Sequence, residues 1–156
     1  MNVAPTPHGH TYLFAPGRWG GKGKLSIIGG PTEPIELQMI VSHSGTGTIT
    51  AHLEVGFDEG RRDGGVELVY TIDLGEDETF TFVQYNSQLG ELSGEGNTTA
   101  DTILLSYRSD DGAYGGFEAL ERVNETHYRL RGTLSLNGMP SSVMEAAFHR
   151  LPNSVN

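Results

Sequence analysis

The chain is predicted to be all-β, a single antiparallel up-and-down β-barrel of about ten strands. Three observations predict it. From Arg18 onward, apolar and polar residues alternate with period two through most of the chain. Nearly every alternating run ends in a short turn signal, which makes successive runs hairpin neighbours rather than crossover partners. Finally, this many strands with one apolar face each are too many for an open twisted sheet without curling, and closure removes the exposed edges. No amphipathic run is long enough to predict a helix.

The elements follow in order. Residues 1–10 read as a flexible arm, 11–151 as the barrel domain and 152–156 as a tail. Thr11-Tyr12-Leu13-Phe14 is expected as a short extended segment over one barrel end, with Ala15-Pro16-Gly17 as a turn. The first strand, Trp19 to Ile28, sets Trp19, Gly21, Gly23, Leu25 and Ile27 on one face. The next, Glu33 to His43, alternates Ile35, Leu37, Met39 and Val41 with polar residues. Thr46 to Gly56 does the same with Ile49, Ala51, Leu53 and Val55. The longest loop, Asp58 to Gly65, carries Arg61 and Arg62.

Val66 to Leu74 faces Val66, Leu68, Tyr70 and Ile72 together, and Thr79 to Tyr85 faces Phe80, Phe82 and Gln84. Gly90 to Asn97 is glycine-rich and expected to be irregular, because glycine weakens a strand. Thr102 to Arg108 groups Ile103, Leu105 and Tyr107. In the strand from Ala113 to Val123, Gly115-Gly116 reads as a bulge or corner, which leaves its faces unassigned. His127 to Leu136 groups Tyr128, Leu130, Gly132 and Leu134. Asn137-Gly138 is the strongest hairpin signal. Ser142 to Leu151 alternates Met144, Ala146 and Phe148 with polar positions.

Composition excludes several functions. With 20 acidic against 10 basic residues the net charge is −10, so neither nucleic acid nor an anionic membrane surface is an expected partner. The acids are expected to keep the domain soluble. There is no cysteine, hence no disulfide framework, which fits a reducing, cytoplasmic setting. The N-terminus has no basic start followed by an apolar core, and no apolar run approaches the ~20 residues of a membrane span. Asn97-Thr98-Thr99 and Asn124-Glu125-Thr126 match a glycosylation sequon but read as turn residues. A homodimer is compatible with all of this.

Gly17-Arg18-Trp19-Gly20-Gly21-Lys22-Gly23 reads G-x-W-x-G-x-G on the first strand. It resembles the opening of nitrobindin-type barrels and, more broadly, of the calycin group, the lipocalins and fatty-acid-binding proteins. The resemblance implies a structural role for Trp19 as a plug, with Arg150 near the end of the last strand covering the indole by a cation–π contact. It also implies haem held by a His on the last strands. Ser142 and Val143 stand where that ligand would be, so no cofactor is expected. The two helices that fatty-acid-binding proteins insert after the first strand have no room between Gly29 and Glu33, so no helical lid is expected.

If the apolar faces point inward, the interior holds Met39, Tyr70, Phe80, Phe82, Gln84, Tyr107, Tyr128, Met144 and Phe148. An apolar cavity with a few polar groups is the form of a small-molecule site. The expected function is therefore binding of a small apolar or amphipathic molecule. The alternative is a small barrel enzyme of cyclase or isomerase type, using an interior Tyr or Glu for proton transfer. Glu95, Glu118 and Glu145 lie within strands, and any of them buried beside a tyrosine would suit that role, although no spacing singles one out. His8-Gly9-His10 has a spacing suited to a metal but no third ligand, so no metal is expected. His43, His52, His127 and His149 read as solvated.

Overall fold

The computed structural model describes residues 6–44, 47–57 and 65–152. Ten strands form: β1 (Gly17–Ile27), β2 (Thr32–His43), β3 (Ile49–Phe57), β4 (Val66–Leu74), β5 (Thr79–Asn86), β6 (Gly90–Thr98), β7 (Thr102–Arg108), β8 (Tyr114–Asn124), β9 (His127–Leu136) and β10 (Met139–Leu151). Each pairs antiparallel with its sequence neighbour, and β1 also pairs with β10, which closes the barrel. The only helical element among the described residues is a single 3-10 turn, Pro7–Gly9. Among the described residues no helix is long and apolar enough to cross a membrane.

The period-two pattern fixes which residues point inward. Ile35, Leu37, Met39 and Val41 on β2, Ile49, Ala51, Leu53 and Val55 on β3, and Leu68, Tyr70 and Ile72 on β4 are all buried. Their sequence neighbours Glu36, Gln38 and Ile40 face out. A one-residue slip would expose every one of these side chains, so the register is strongly determined.

Two glycine expectations are corrected. β6 is regular over Gly90–Thr98 rather than irregular. Gly94 stands opposite Phe82 and Gly96 opposite Phe80. A Cβ on Gly94 would overlap the Phe82 ring and the Ser106 carbonyl, and one on Gly96 the Phe80 ring and the Leu104 carbonyl. The glycines thus seat neighbouring rings. Likewise Gly115 and Gly116 pair in register with Arg108 and Tyr107, so they form no bulge; the Tyr107 ring occupies the space over Gly116. The register shift in β8 falls between Arg122 and Asn124 instead. A second shift, between Pro140 and Ser142, lets β10 begin at Met139, ahead of the expected Ser142.

The N-terminal residues close one end. Tyr12, Leu13 and Phe14 are buried, but they form a turn rather than an extended segment. The Ala15 N–H donates to the Thr11 carbonyl (3.1 Å), and Leu13 adopts φ 74°. Pro7 and His10, within the stretch expected as a flexible arm, are buried too. The Arg122 guanidinium donates to the His8, Gly9 and Ala100 carbonyls and ties this segment to the β6–β7 and β8 rim.

Candidate functional site

The two barrel ends are built differently. At the end covered by the N-terminal segment, aromatic rings fill the lumen. Trp19 is 1% exposed and meets Tyr12 and Tyr128 edge-on, at centroid separations of 5.2 and 5.7 Å. Tyr12 also lies 4.9 Å from the Phe148 ring, and Phe14 packs edge-on against Phe80. Such contacts add to the area these rings bury.

A buried hydrogen-bond chain locks this plug. His10 Nε2 lies 2.7 Å from the Thr99 carbonyl, which can only accept, so Nε2 carries the proton. Nδ1 is then the acceptor and takes the Tyr128 hydroxyl proton at 2.7 Å. The Tyr128 oxygen in turn accepts the Thr11 N–H at 3.3 Å. Burial lowers the His10 pKa and keeps the ring neutral, as this arrangement requires. His43, expected to be solvated, donates from Nε2 to the Phe14 carbonyl.

Trp19 and Arg150 are directly opposite on β1 and β10. The expected cation–π contact is absent among the described residues. The Arg150 guanidinium donates to the Pro16 carbonyl at 2.8 Å and lies against Gly17. Arg150 therefore fastens the segment that leads into β1, and Tyr12 and Tyr128 cover the indole. The indole Nε1 is buried without a partner.

Among the described residues only the short β1–β2, β5–β6, β7–β8 and β9–β10 hairpins rim the other end, the open end. A cavity of about 180 Å³ lies inside it, walled by Leu25, Val55, Phe57, Val66, Leu68, Leu89, Leu134 and Met144. Its polar lining is Gln84, Asn86, Gln88, Tyr107, Thr133, Ser142 and Glu118. The strands position these groups by alternation alone: Gln84 is two residues beyond Phe82 on the inner face of β5, and Tyr107 two beyond Leu105 on β7. Ile28 and Met139, on the β1–β2 and β9–β10 hairpins at this end, are exposed apolar residues.

Glu118 lies at the floor of this cavity. It is 8% exposed, and it also borders a residual void of about 10 Å³ beneath the plug, shared with Tyr12, Met39, Tyr70 and Leu120. Gly132 faces it across the β8–β9 pair, and a Cβ there would come within 2.8 Å of Glu118 Cγ. Among the described residues nothing donates a hydrogen bond to its carboxyl group. Burial raises its pKa from 4.5 to about 7, because a carboxylate loses hydration that nothing replaces. The Tyr12, Tyr70 and Tyr107 hydroxyls are raised in turn, first by burial and then by the nearby Glu118 charge.

The expected site residues divide between these regions. Gln84, Tyr107 and Met144 line the cavity. Met39 and Tyr70 border the void below its floor. Phe80, Phe82, Tyr128 and Phe148 are buried in the packed core, and the Tyr128 hydroxyl is held by the plug. Of the three candidate acids, Glu95 is exposed and Glu145 pairs outside the barrel with Arg131 (3.1 Å) and Lys24 (3.7 Å). Glu118 alone turns inward. It sits on the one strand whose faces were unassigned; stepping back by twos from Leu120 would have found it.

His8 and His10 share no site. The His8 ring contacts Thr98 Oγ1 and Glu78, whereas His10 points into the plug. On the outer surface, His52, Glu54 and Glu67 bring potential ligand atoms within 4.8 Å of one another, with His52 Nε2 3.1 Å from Glu67 Oε1. Arg61 and Arg62 lie outside the described residues.

No family model matches the chain, and no curated protein matches it in sequence. Solved structures do match in fold. Rv2717c from M. tuberculosis superposes with a TM-score of 0.68 at 13% identity, over 87% of this chain and 92% of that one. The S-type phycobiliprotein lyase CPES from Guillardia theta gives 0.61 at 11% identity, over 91% and 90%. A redesigned β-barrel gives 0.50 at 14% identity, over 97% and 100%. The likeness is one of architecture, a closed antiparallel barrel.

Proposed function

We propose that the protein binds a small amphipathic molecule inside the open end of its barrel. The observation that carries this reading is the cavity of about 180 Å³, with a wall of apolar side chains and a floor of Gln84, Tyr107 and Glu118. Its volume is on the scale of cavities that hold one benzene-sized molecule. Affinity would come from apolar area removed from water, at roughly 25 cal/mol per Å². Orientation would come from the polar groups at the floor. The apolar residues Ile28 and Met139 at the rim suit entry of a ligand with a hydrophobic body.

Native mass spectrometry of the purified protein tests this, paired with the cavity-filling variant Met144→Trp. A small adduct is expected on the wild type and not on the variant. If no adduct appears, and titration with small aromatic molecules shifts no methyl resonances of Leu25, Leu134 or Met144, the reading is wrong.

One observation favours a second reading, a proton-transfer enzyme. A carboxyl group whose pKa lies at about 7 is poised to exchange protons near neutral pH. In that case Glu118→Gln would lower turnover by roughly 10²–10⁴-fold while the substrate still bound. Equal loss of binding and turnover would return Glu118 to a purely binding role.

A further inference from the structure

We propose that the cavity selects ligands whose inner end carries a protonated amine, held by the Glu118 carboxylate. The inference rests on the binding reading and specifies its ligand class.

The argument begins with the charges that the lumen presents. Among the described residues lining the cavity there is no Lys, Arg or His; Glu118 and Tyr107 are the only titratable groups. An anionic head group entering this floor would meet a carboxyl group, tyrosine hydroxyls and a glutamine amide, and no cation to replace its hydration. A fatty-acid-type carboxylate is therefore disfavoured on desolvation grounds. An ammonium group meets the complementary situation, since among the described residues the one buried charge available is negative and no protein donor occupies it. A carboxylate accepts charge-assisted hydrogen bonds that are about twice as strong as neutral ones. Gln84 and Tyr107 supply further acceptors for an N–H group at the same floor.

Second, the position is built to hold a bare carboxyl group. Gly132 leaves the space into which the Glu118 side chain extends. The groups facing Glu118 are Tyr12 from the N-terminal segment, Tyr70 on β4 and Tyr107 on β7, all of which stay neutral because burial and the Glu118 charge push their pKa values up. Among the described residues, no cation from a packed element competes for the carboxylate. Third, the volume of about 180 Å³ limits the ligand to about one ring with a short side chain. The ligand class is thus a small aryl or alkyl amine, its hydrocarbon against Leu25, Val55, Leu134 and Met144 and its nitrogen at Glu118.

Binding such a cation favours the ionised form of Glu118, so affinity should depend on pH. Ligand binding drives off the proton that the empty site holds at lower pH. Affinity for an amine therefore rises as Glu118 ionises through about pH 7, while affinity for an uncharged ligand of the same shape does not.

The experiment compares three probes of matched size, 2-phenylethylamine, 2-phenylethanol and phenylacetate, by calorimetric titration of the full chain and of its Glu118→Gln variant. The expected result is that the wild type binds the amine roughly tenfold more tightly than the alcohol, and phenylacetate most weakly. The preference for the amine should grow roughly tenfold between about pH 6 and about pH 8. Glu118→Gln should abolish both the preference and its pH dependence. Equal binding of amine and alcohol by the wild type, or an amine preference that survives Glu118→Gln, overturns the charge selection and leaves the cavity reading intact. Tightest binding of phenylacetate overturns it outright. If none of the three probes binds, the cavity reading fails and this inference fails with it.

Discussion

The plugged end and the open end of the barrel are made by the same alternation of residues, yet they treat buried polar groups in opposite ways. At the plugged end, His10, Tyr128, Thr99 and Thr11 form a closed chain of donors and acceptors, and Arg150 is satisfied by the Pro16 carbonyl. The exception is the indole N–H of Trp19. At the open end, Glu118 is buried but borders the cavity, and among the described residues no protein donor reaches it. A satisfied network stabilises a fold, whereas an unsatisfied buried group lowers stability and keeps free bonding capacity for something else. On the proposed reading, the contrast assigns stability to one end and recognition to the other.

The largest effect should come from the plug. Trp19→Ala removes a fully buried side chain that contacts Tyr12 and Tyr128, and truncations of this kind cost about 3–5 kcal/mol. Denaturant unfolding measures this directly. A loss below about 1 kcal/mol would mean that the indole is not a plug and that the two ends do not differ as described.

Glu118 should act in the opposite sense, and visibly with pH. The folded state holds a proton up to about pH 7, whereas the unfolded carboxyl releases it near 4.5. Between those values the folded state binds more protons, so stability falls as pH rises through that window and levels off above about 7. A shift of this size corresponds to on the order of 3 kcal/mol. Glu118→Gln removes the titration, so the variant should gain on the wild type progressively from about pH 4.5 to 7. Parallel stability curves for the two proteins would show that Glu118 is hydrated after all.

A smaller loss tests the hydrogen-bond chain. Tyr128→Phe keeps the ring contacts but orphans His10 Nδ1 and the Thr11 N–H. An unsatisfied buried group costs about 1–3 kcal/mol. The same change in the cavity, Tyr107→Phe, should leave stability nearly unaltered and, on the proposed reading, change binding instead. Thermal unfolding of the pair measures the difference between the two ends with one chemical substitution.

How much of this was legible in the sequence depends on the kind of signal. The inward faces of β1 to β5, β7, β9 and β10 follow from period-two alternation, because each has one apolar side that must be buried. The closure follows from hairpin order. What was not legible is set by pairs of strands rather than by one. Gly94 and Gly96 look like weaknesses in β6 until Phe82 and Phe80 are seen opposite them, and Gly116 looks like a bulge until Tyr107 takes its space. Such glycines hide the parity of a strand, and β8 is where this mattered most. Glu118 falls two residues after Gly116 and shares its face, so misreading the glycine pair conceals the one inward acid. The plug residues His10 and Tyr128 are 118 positions apart, a separation that no local pattern reports.

The smallest effect is expected at the hairpin between β9 and β10, and it sharpens the contrast from the other side. Asn137 and Gly138 both have positive φ, 51° and 80°, the signature of the two-residue turn that matches strand twist. A Cβ on Gly138 would meet nothing within 4 Å, so Gly138→Ala adds no clash and changes only the backbone cost of the left-handed conformation. That cost is about 1 kcal/mol. The turn lies at the open end, yet its residues do not line the cavity. Stability should therefore fall by that amount while affinity for a cavity probe stays within twofold, about 0.4 kcal/mol. A larger loss of affinity would mean that the β9–β10 hairpin helps to shape the cavity mouth. The open end would then be a structural unit, with turn, wall and floor coupled, rather than a pocket left by alternation on otherwise independent strands.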